Sequence, residues 1–188
     1  MRIISGLFKG KKILEPRDIL TRPLKDLTKE SIFNIINHSN KIKINLEKSC
    51  ILDLFSGVGS FGLECLSRGS KEVVFIENYI KVLPILKKNL LNLNSVKNYK
   101  IIEANIYDEK TLSSLNQKFD IIFLDPPYRD KNLEKLLFHI KSLKLLNNNG
   151  ILILHRNKNE NDIFPKEFKI FEEKKYGISK IIFLIYLS

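Results

Sequence analysis

An α/β fold wound on both faces of a mainly parallel sheet is predicted from three observations. From Ser49 onward, short apolar runs alternate with helical patterns, the signature of repeated strand–helix units. Two of the runs carry an acidic residue at their C-terminal boundary ahead of backbone breakers, Asp53 before a glycine loop and Asp125 before Pro126-Pro127. The last two runs, 167–174 and 179–187, are joined by a tight turn at Gly177, which gives the sheet an antiparallel C-terminal strand.

In chain order, residues 2–14 read as a small basic β-hairpin whose turn region is bracketed by Gly6 and Gly10. A linker containing Pro16 and Pro23 follows, so residues 1–24 form an N-terminal extension and residues 25–188 the main domain. Ile32, Phe33, Ile35 and Ile36 mark a helix over 26–37, with Asp26 or Thr28 available as N-cap and Glu30 in its first turn. Strands are expected at 50–54, 72–77, 99–103, 119–124 and 150–155, with helices near 59–68, 80–93, 108–115 and 131–145. Leu133, Leu136, Leu137, Ile140 and Leu143 recur at helical spacing in the last of these, and Pro84 places the start of the second only a few residues before it. Asn147-Asn148-Asn149-Gly150 reads as a turn. With the final pair, the sheet has seven strands.

The 188 residues suffice for one domain with a full core. No segment approaches a membrane span, and Met1-Arg2-Ile3-Ile4-Ser5-Gly6 lacks the apolar centre of a signal peptide. Cys50 and Cys65 have no metal-like spacing and read as reduced, buried thiols of a cytoplasmic protein that needs no zinc. The formal charge of +11 favours an anionic partner such as nucleic acid, although 26 of the 32 basic residues are lysine in a chain also rich in Ile and Asn, a bias that inflates the total. Position is more telling, since the first fourteen residues contain Arg2, Lys9, Lys11 and Lys12 and no acid.

Asp53-Leu54-Phe55-Ser56-Gly57-Val58-Gly59-Ser60-Phe61-Gly62 is a strand end, a glycine loop and a helix start, and Glu77 ends the next strand. The spacing G-x-G-x-x-G admits a nicotinamide dinucleotide or S-adenosylmethionine. Asp53 separates them. A fixed carboxylate at the mouth of the loop repels a pyrophosphate, whereas the ammonium and sulfonium of S-adenosylmethionine are attracted by it. Glu77 would accept hydrogen bonds from ribose hydroxyls, with Phe55, Ser56, Gly57, Gly59 and Asn78 lining the same cofactor site. After the third strand, Asn105 and Ile106 are candidates to meet the adenine, though an Asn there is equally a turn former.

Asp125-Pro126-Pro127-Tyr128 presents a carboxylate, a carbonyl and a ring at a strand's C-terminal edge, because the prolines cannot continue the ladder. In open α/β sheets that edge is where ligands sit. If Asp125 and the Pro126 carbonyl accept both hydrogens of an exocyclic amine, its delocalised lone pair is freed toward a methyl group, and Tyr128 would stack on the base. No metal or covalent enzyme intermediate is needed.

With these motifs together the chain resembles the bacterial small-subunit (16S) ribosomal RNA guanine-N2 methyltransferases. The resemblance runs through Arg2-Ile3-Ile4-Ser5-Gly6, Lys9-Gly10-Lys11-Lys12, Thr21-Arg22-Pro23 and Glu30-Ser31-Ile32-Phe33-Asn34-Ile35. It continues in Asp53–Gly59, Gly62–Gly69, Phe75-Ile76-Glu77 and Leu124–Tyr128, and so spans residues 2 to about 130. Beyond residue 131 only Tyr176-Gly177 matches. It implies a Rossmann-like class I methyltransferase fold, a methyl donor at Asp53, Gly57 and Glu77, catalysis at Asp125 to Tyr128, and a guanine in rRNA within an assembling subunit as target. Leu24, Leu27 and Asn105 depart from the family pattern, where threonine, arginine and aspartate are usual.

Lys9, Lys11, Lys12, Arg22 and Lys25 are expected to bind phosphates beside the cleft; otherwise the lysines merely protect a solvated edge hairpin. His155-Arg156 ends a strand near the cleft, but its context assigns it no role. Nothing in the sequence demands more than a monomer. The rival readings are an adenine-N6 methyltransferase on DNA or RNA, a nicotinamide oxidoreductase, which Asp53 and Asp125 oppose, and a non-catalytic RNA-binding module, which leaves both motifs idle.

Overall fold

Burial on both faces explains why the central strands form. In β1 (Cys50–Leu54), Ile51 points into one apolar layer and Leu52 and Leu54 into the other, all fully buried. β2 (Glu72–Glu77) and β4 (Phe119–Leu124) repeat the pattern with Val73 and Phe75, then Ile121 and Phe123, on the first face. Such two-sided runs are characteristic of a parallel sheet covered by helices. The computed structural model describes residues 1–16, 24–40, 42–127 and 130–187.

The other elements are α1 (Asp26–His38), α2 (Ser60–Ser67), α3 (Leu83–Leu91), β3 (Tyr99–Glu103), α4 (Glu109–Ser113), α5 (Leu133–Ser142), β5 (Leu146–Asn157), β6 (Phe168–Tyr176) and β7 (Ser179–Tyr186). The seven strands lie in the order β3-β2-β1-β4-β5-β7-β6. β1 to β5 pair in parallel, while β7 runs antiparallel to both its neighbours. The order reverses between β1 and β4, so the switch point of the sheet lies between the strands that carry Asp53 and Asp125. Residues of α1, α2, α3 and the N-terminal segment cover one face; α4 and α5 cover the other. Among the described residues no helix is long and apolar enough to cross a membrane.

The strands β1 to β4 have the expected limits. β5 does not: it begins at Leu146, and the expected turn at Asn147–Gly150 is part of the strand. Buried Leu146 pairs with Phe119, the next regular pair is Ile121 with Ile151, and the residues between bulge outward. Asn147 is held by its amide on Asp120 (2.6 Å), so turn-like composition here builds a bulge. α1 lacks the expected side-chain cap; Lys25 precedes it and Asp26 is its first helical residue. Cys65 is buried, but Cys50 only partly so.

The N-terminal segment is a hairpin closed by a single bridge, Arg2 with Lys12, rather than a ladder. Its stability comes from docking. Ile4 and Ser5 donate their amides to the buried Glu64 carboxylate of α2, at 2.8 and 2.9 Å, and Leu7 and Phe8 donate to Ser67. Gly6, at φ +79°, passes so close to α2 that a Cβ there would lie 1.9 Å from the Ser67 carbonyl oxygen.

Candidate active site

Register brings the acidic side chains together. Asp53 is level with Phe75 on β2 and Phe123 on β4, so Glu77 and Asp125 stand two residues further along. With a side-chain period of two, all three project to the face covered by α2. Asp53 is 1% exposed and Glu77 9%, while Asp125 is partly open. The Asp53 carboxyl is pushed well above the usual carboxylate range by burial; the Gly62 amide at 3.0 Å opposes this, and the charges of Asp125 and Glu77 add to it. The carboxylates on either side of the switch point therefore act on each other, and a cation between them would relieve the conflict.

The glycine loop is shaped by its surroundings. Glu77 accepts the amides of Gly57 (2.7 Å), Asn78 (2.9 Å) and Tyr79 (2.8 Å), which fixes the loop after β1 against the loop after β2. A carboxylate has about four acceptor positions, so one remains for a ligand hydroxyl. Ser56 donates its hydroxyl to the Asp53 and Ile76 carbonyls and thus braces the loop. Phe55 sits at φ +58°, unusual for a non-glycine residue and typical of ligand-binding turns. A Cβ on Gly62 would meet the Phe75 ring at 2.2 Å and one on Gly59 would meet Leu86 at 2.6 Å, whereas a Cβ on Gly57 would have no neighbour closer than 4.0 Å. Gly62 thus lets α2 pack on β2, Gly59 makes room for Leu86 of α3, and Gly57 alone opens toward space.

At the third strand, Asn105 is a turn former: its Oδ1 accepts the Tyr107 amide at 3.0 Å, and its carbonyl accepts the Thr111 hydroxyl. Ile106 is buried. Tyr107, which sequence reasoning missed, lies 5.9 Å from Phe55 between ring centres and donates its hydroxyl to Asp130. Burial first, then the Asp130 carboxylate, holds that phenol well above its ordinary range. It ties the loop after β3 to the loop after β4.

The loop after β4 carries the Asp125 site. Pro126 is buried and Pro127 exposed; Tyr128 lies outside the described residues. The Pro127 carbonyl is taken up by the Asp130 amide (2.9 Å) and by the Arg156 guanidinium (3.1 Å). His155 Nδ1 stands 2.8 Å from Asp125 Oδ1. Neither β5 residue had an assigned role, yet the signal was available. Ile151, Ile153 and His155 share one strand face, so the histidine occupies a place where the alternation calls for an apolar residue, level with Asp125.

The basic residues are spread more widely than expected. Lys9, Lys12 and Lys25 are exposed. Lys11 is turned onto the Asn92 carbonyl and the face of Phe8, and Arg22 lies outside the described residues. The hairpin tip lies against Ser67, at the end of α2 away from the glycine loop, so Lys9 is not beside the cleft. α2 separates the two by about 12 Å at 1.5 Å per residue.

The family described as "Conserved hypothetical protein 95" matches residues 1–185. A ribosomal RNA small subunit methyltransferase D from Haemophilus influenzae is 32% identical over 183 residues, 95% of this chain and 90% of that protein. One from Buchnera aphidicola is 33% identical over 190 aligned residues, covering 100% of this chain and 92% of the relative. Among solved structures, an Escherichia coli protein assigned as a methyltransferase superposes with a TM-score of 0.83 at 26% identity, over 99% of this chain and 97% of that one. The chain belongs to this family, and with it to the ribosomal RNA small subunit methyltransferase D proteins.

Proposed function

We propose that the chain transfers a methyl group from S-adenosylmethionine to the exocyclic N2 amine of a guanine in small-subunit (16S) ribosomal RNA, on an assembled or assembling particle. The observation that carries the reading is the convergence of Asp53, Glu77 and Asp125 at one sheet edge, either side of the switch point. Three carboxylates in one cleft oppose a pyrophosphate and favour a sulfonium and an ammonium. The names of the relatives support rRNA as the substrate. The N-terminal motifs shared with the guanine-N2 enzymes favour guanine over adenine. The chain would work as a cytoplasmic monomer without a metal.

Glu77 has acceptor capacity for a ribose hydroxyl, Asp53 the charge for the amino-acid end, and Phe55, Ser56, Gly57, Gly59, Asn78, Asn105 and Ile106 would wall the donor site. S-adenosylmethionine supplies a methyl group on a positively charged sulfur. Asp125 and the Pro126 carbonyl accept the two amine hydrogens, which directs the nitrogen lone pair at that carbon. As the nitrogen–carbon bond forms, the carbon–sulfur pair stays on sulfur and S-adenosylhomocysteine leaves. The surplus amine proton passes to Asp125 and on to water. Orientation of this kind contributes at most about 7–11 kcal/mol. Lys9, Lys12 and Lys25 would follow the RNA backbone along the α2 side, and Arg22 would be a further phosphate contact; Lys11 would stay on the protein.

Asp125→Ala tests the reading. Transfer to undermethylated small subunits should fall by about 10²–10⁴-fold while the donor dissociation constant, measured by calorimetry, stays nearly constant. Turnover at the parent rate would remove Asp125 from the chemistry.

A further inference from the structure

The end of β5 carries two buried polar side chains that the methyl-transfer reading leaves idle, His155 at 7% exposure and Arg156 at 2%. We infer that His155 is a positioning residue for the reaction, fixing the Asp125 carboxylate on a loop that Arg156 clamps. The inference rests on the function proposed above and names a further participant at the same site.

A carboxylate that must accept one hydrogen of a flat amine needs a fixed plane and a committed oxygen. Asp125 Oδ1 is taken by His155 Nδ1 at 2.8 Å, which leaves Oδ2 for the substrate. An ionised carboxylate only accepts, so Nδ1 carries the hydrogen in that pair. The placement is built by the strands: Leu124, the last residue of β4, pairs with Leu154, so Asp125 and His155 come side by side directly after the final pair of the parallel ladder.

Arg156 completes the frame. Its Nη1 donates to the Pro127 carbonyl at 3.1 Å and its Nη2 to the Asp130 carbonyl at 3.3 Å. Asp162 receives Nε at 3.0 Å and Nη2 at 2.8 Å, which neutralises the buried guanidinium and sets the plane of its fork. The clamp occupies the Pro127 carbonyl, one residue beyond the Pro126 carbonyl assigned to the substrate. Consecutive β5 residues thus hold the loop at Asp125, Pro127 and Asp130.

The test is single-turnover transfer from labelled S-adenosylmethionine to undermethylated small subunits by the full chain carrying His155→Asn, His155→Gln or His155→Leu. Asn sets an amide nitrogen where Nδ1 was; Gln is equally polar but sets it one bond further out. His155→Asn should stay near the parent rate. His155→Gln and His155→Leu should lose about 10²-fold in the transfer step, with the KM for subunits and the donor affinity unchanged. Equal rates for Asn and Gln, or a parent rate for Leu, would overturn the positioning role. If the parent enzyme labels an atom other than guanine N2, the proposed function fails while the order of the three variants is still read on that product. If the parent labels guanine N2 and the order is flat, only the His155 inference falls.

Discussion

Glu64→Gln should detach the N-terminal hairpin without touching the cleft. Glu64 is fully buried, and its two oxygens have divided duties. Oε2 accepts the Ile4 amide at 2.8 Å and lies 3.8 Å from Lys29 Nζ, while Oε1 accepts the Ser5 amide and Arg68 Nε, each at 2.9 Å. A glutamine side chain offers one oxygen, so its NH2 must face either the Ile4 or the Ser5 amide, donor against donor. A hydrogen bond to a charged acceptor is worth about 1.5–3 kcal/mol, and breaking a buried ion pair from one side costs about 3–5 kcal/mol. Lys29, also buried, limits the damage, because burial already holds its ammonium below the ordinary lysine range against the pull of Glu64 and Asp26. Without Glu64 it still has Asp26 at 3.6 Å, so it is not left as an unpaired charge. The net expectation is a loss of about 3 kcal/mol in urea unfolding at neutral pH, at the lower end of that range. Hydrogen exchange of the Ile4 and Ser5 amides should accelerate, and RNA affinity should fall while donor affinity holds. Adding Lys29→Met should recover part of the stability. A loss under about 1 kcal/mol, with both amides still protected, would refute the docking argument.

Asp53→Asn should raise the melting temperature of the ligand-free protein at neutral pH and weaken donor binding. An acid whose folded pKa lies above its unfolded value binds its proton more tightly when folded, so stability falls as pH climbs from about 4 through the raised value. The neutral amide escapes that penalty and can still accept the Gly62 amide; an unchanged or lower melting temperature across this window would contradict the sign. Replacing Lys9 and Lys12 by alanine should flatten the dependence of log affinity on log salt by about 0.7 per lost single-strand phosphate contact. A slope equal to the parent's would take both lysines out of the RNA interface.

Much of this architecture was legible because the strands obey short-range rules. β1, β2 and β4 are buried on both faces, the edge strand β3 is only partly covered, and all four lie next to glycine, proline or acidic residues, so composition and length set their limits. Asn147–Gly150 misled for the same reason: local chemistry reads as a turn, but Leu146 gains more by pairing with Phe119 in the core than it loses to an irregular ladder. The acidic site residues were visible as breaks in apolar runs. His155 stands out in the sequence only as a polar residue in an apolar alternation; its partner Asp125 emerges once β5 is set in register against β4. The course of the hairpin was equally hidden, since it is decided by Glu64, sixty residues from Ile4. Asn105 and Ser56 show the converse, residues flagged for a ligand whose polar atoms also brace the loops.

Delivery of a methyl group to an amine on guanine is tested most directly by the identity of the methylated product. Undermethylated small subunits can be incubated with the protein and methyl-labelled S-adenosylmethionine, their RNA digested to nucleosides, and the labelled product identified. The expected result is label in N2-methylguanosine from 16S RNA, absent with Asp125→Ala. Label in N6-methyladenosine, on a ring carbon, or in no nucleoside at all would contradict it.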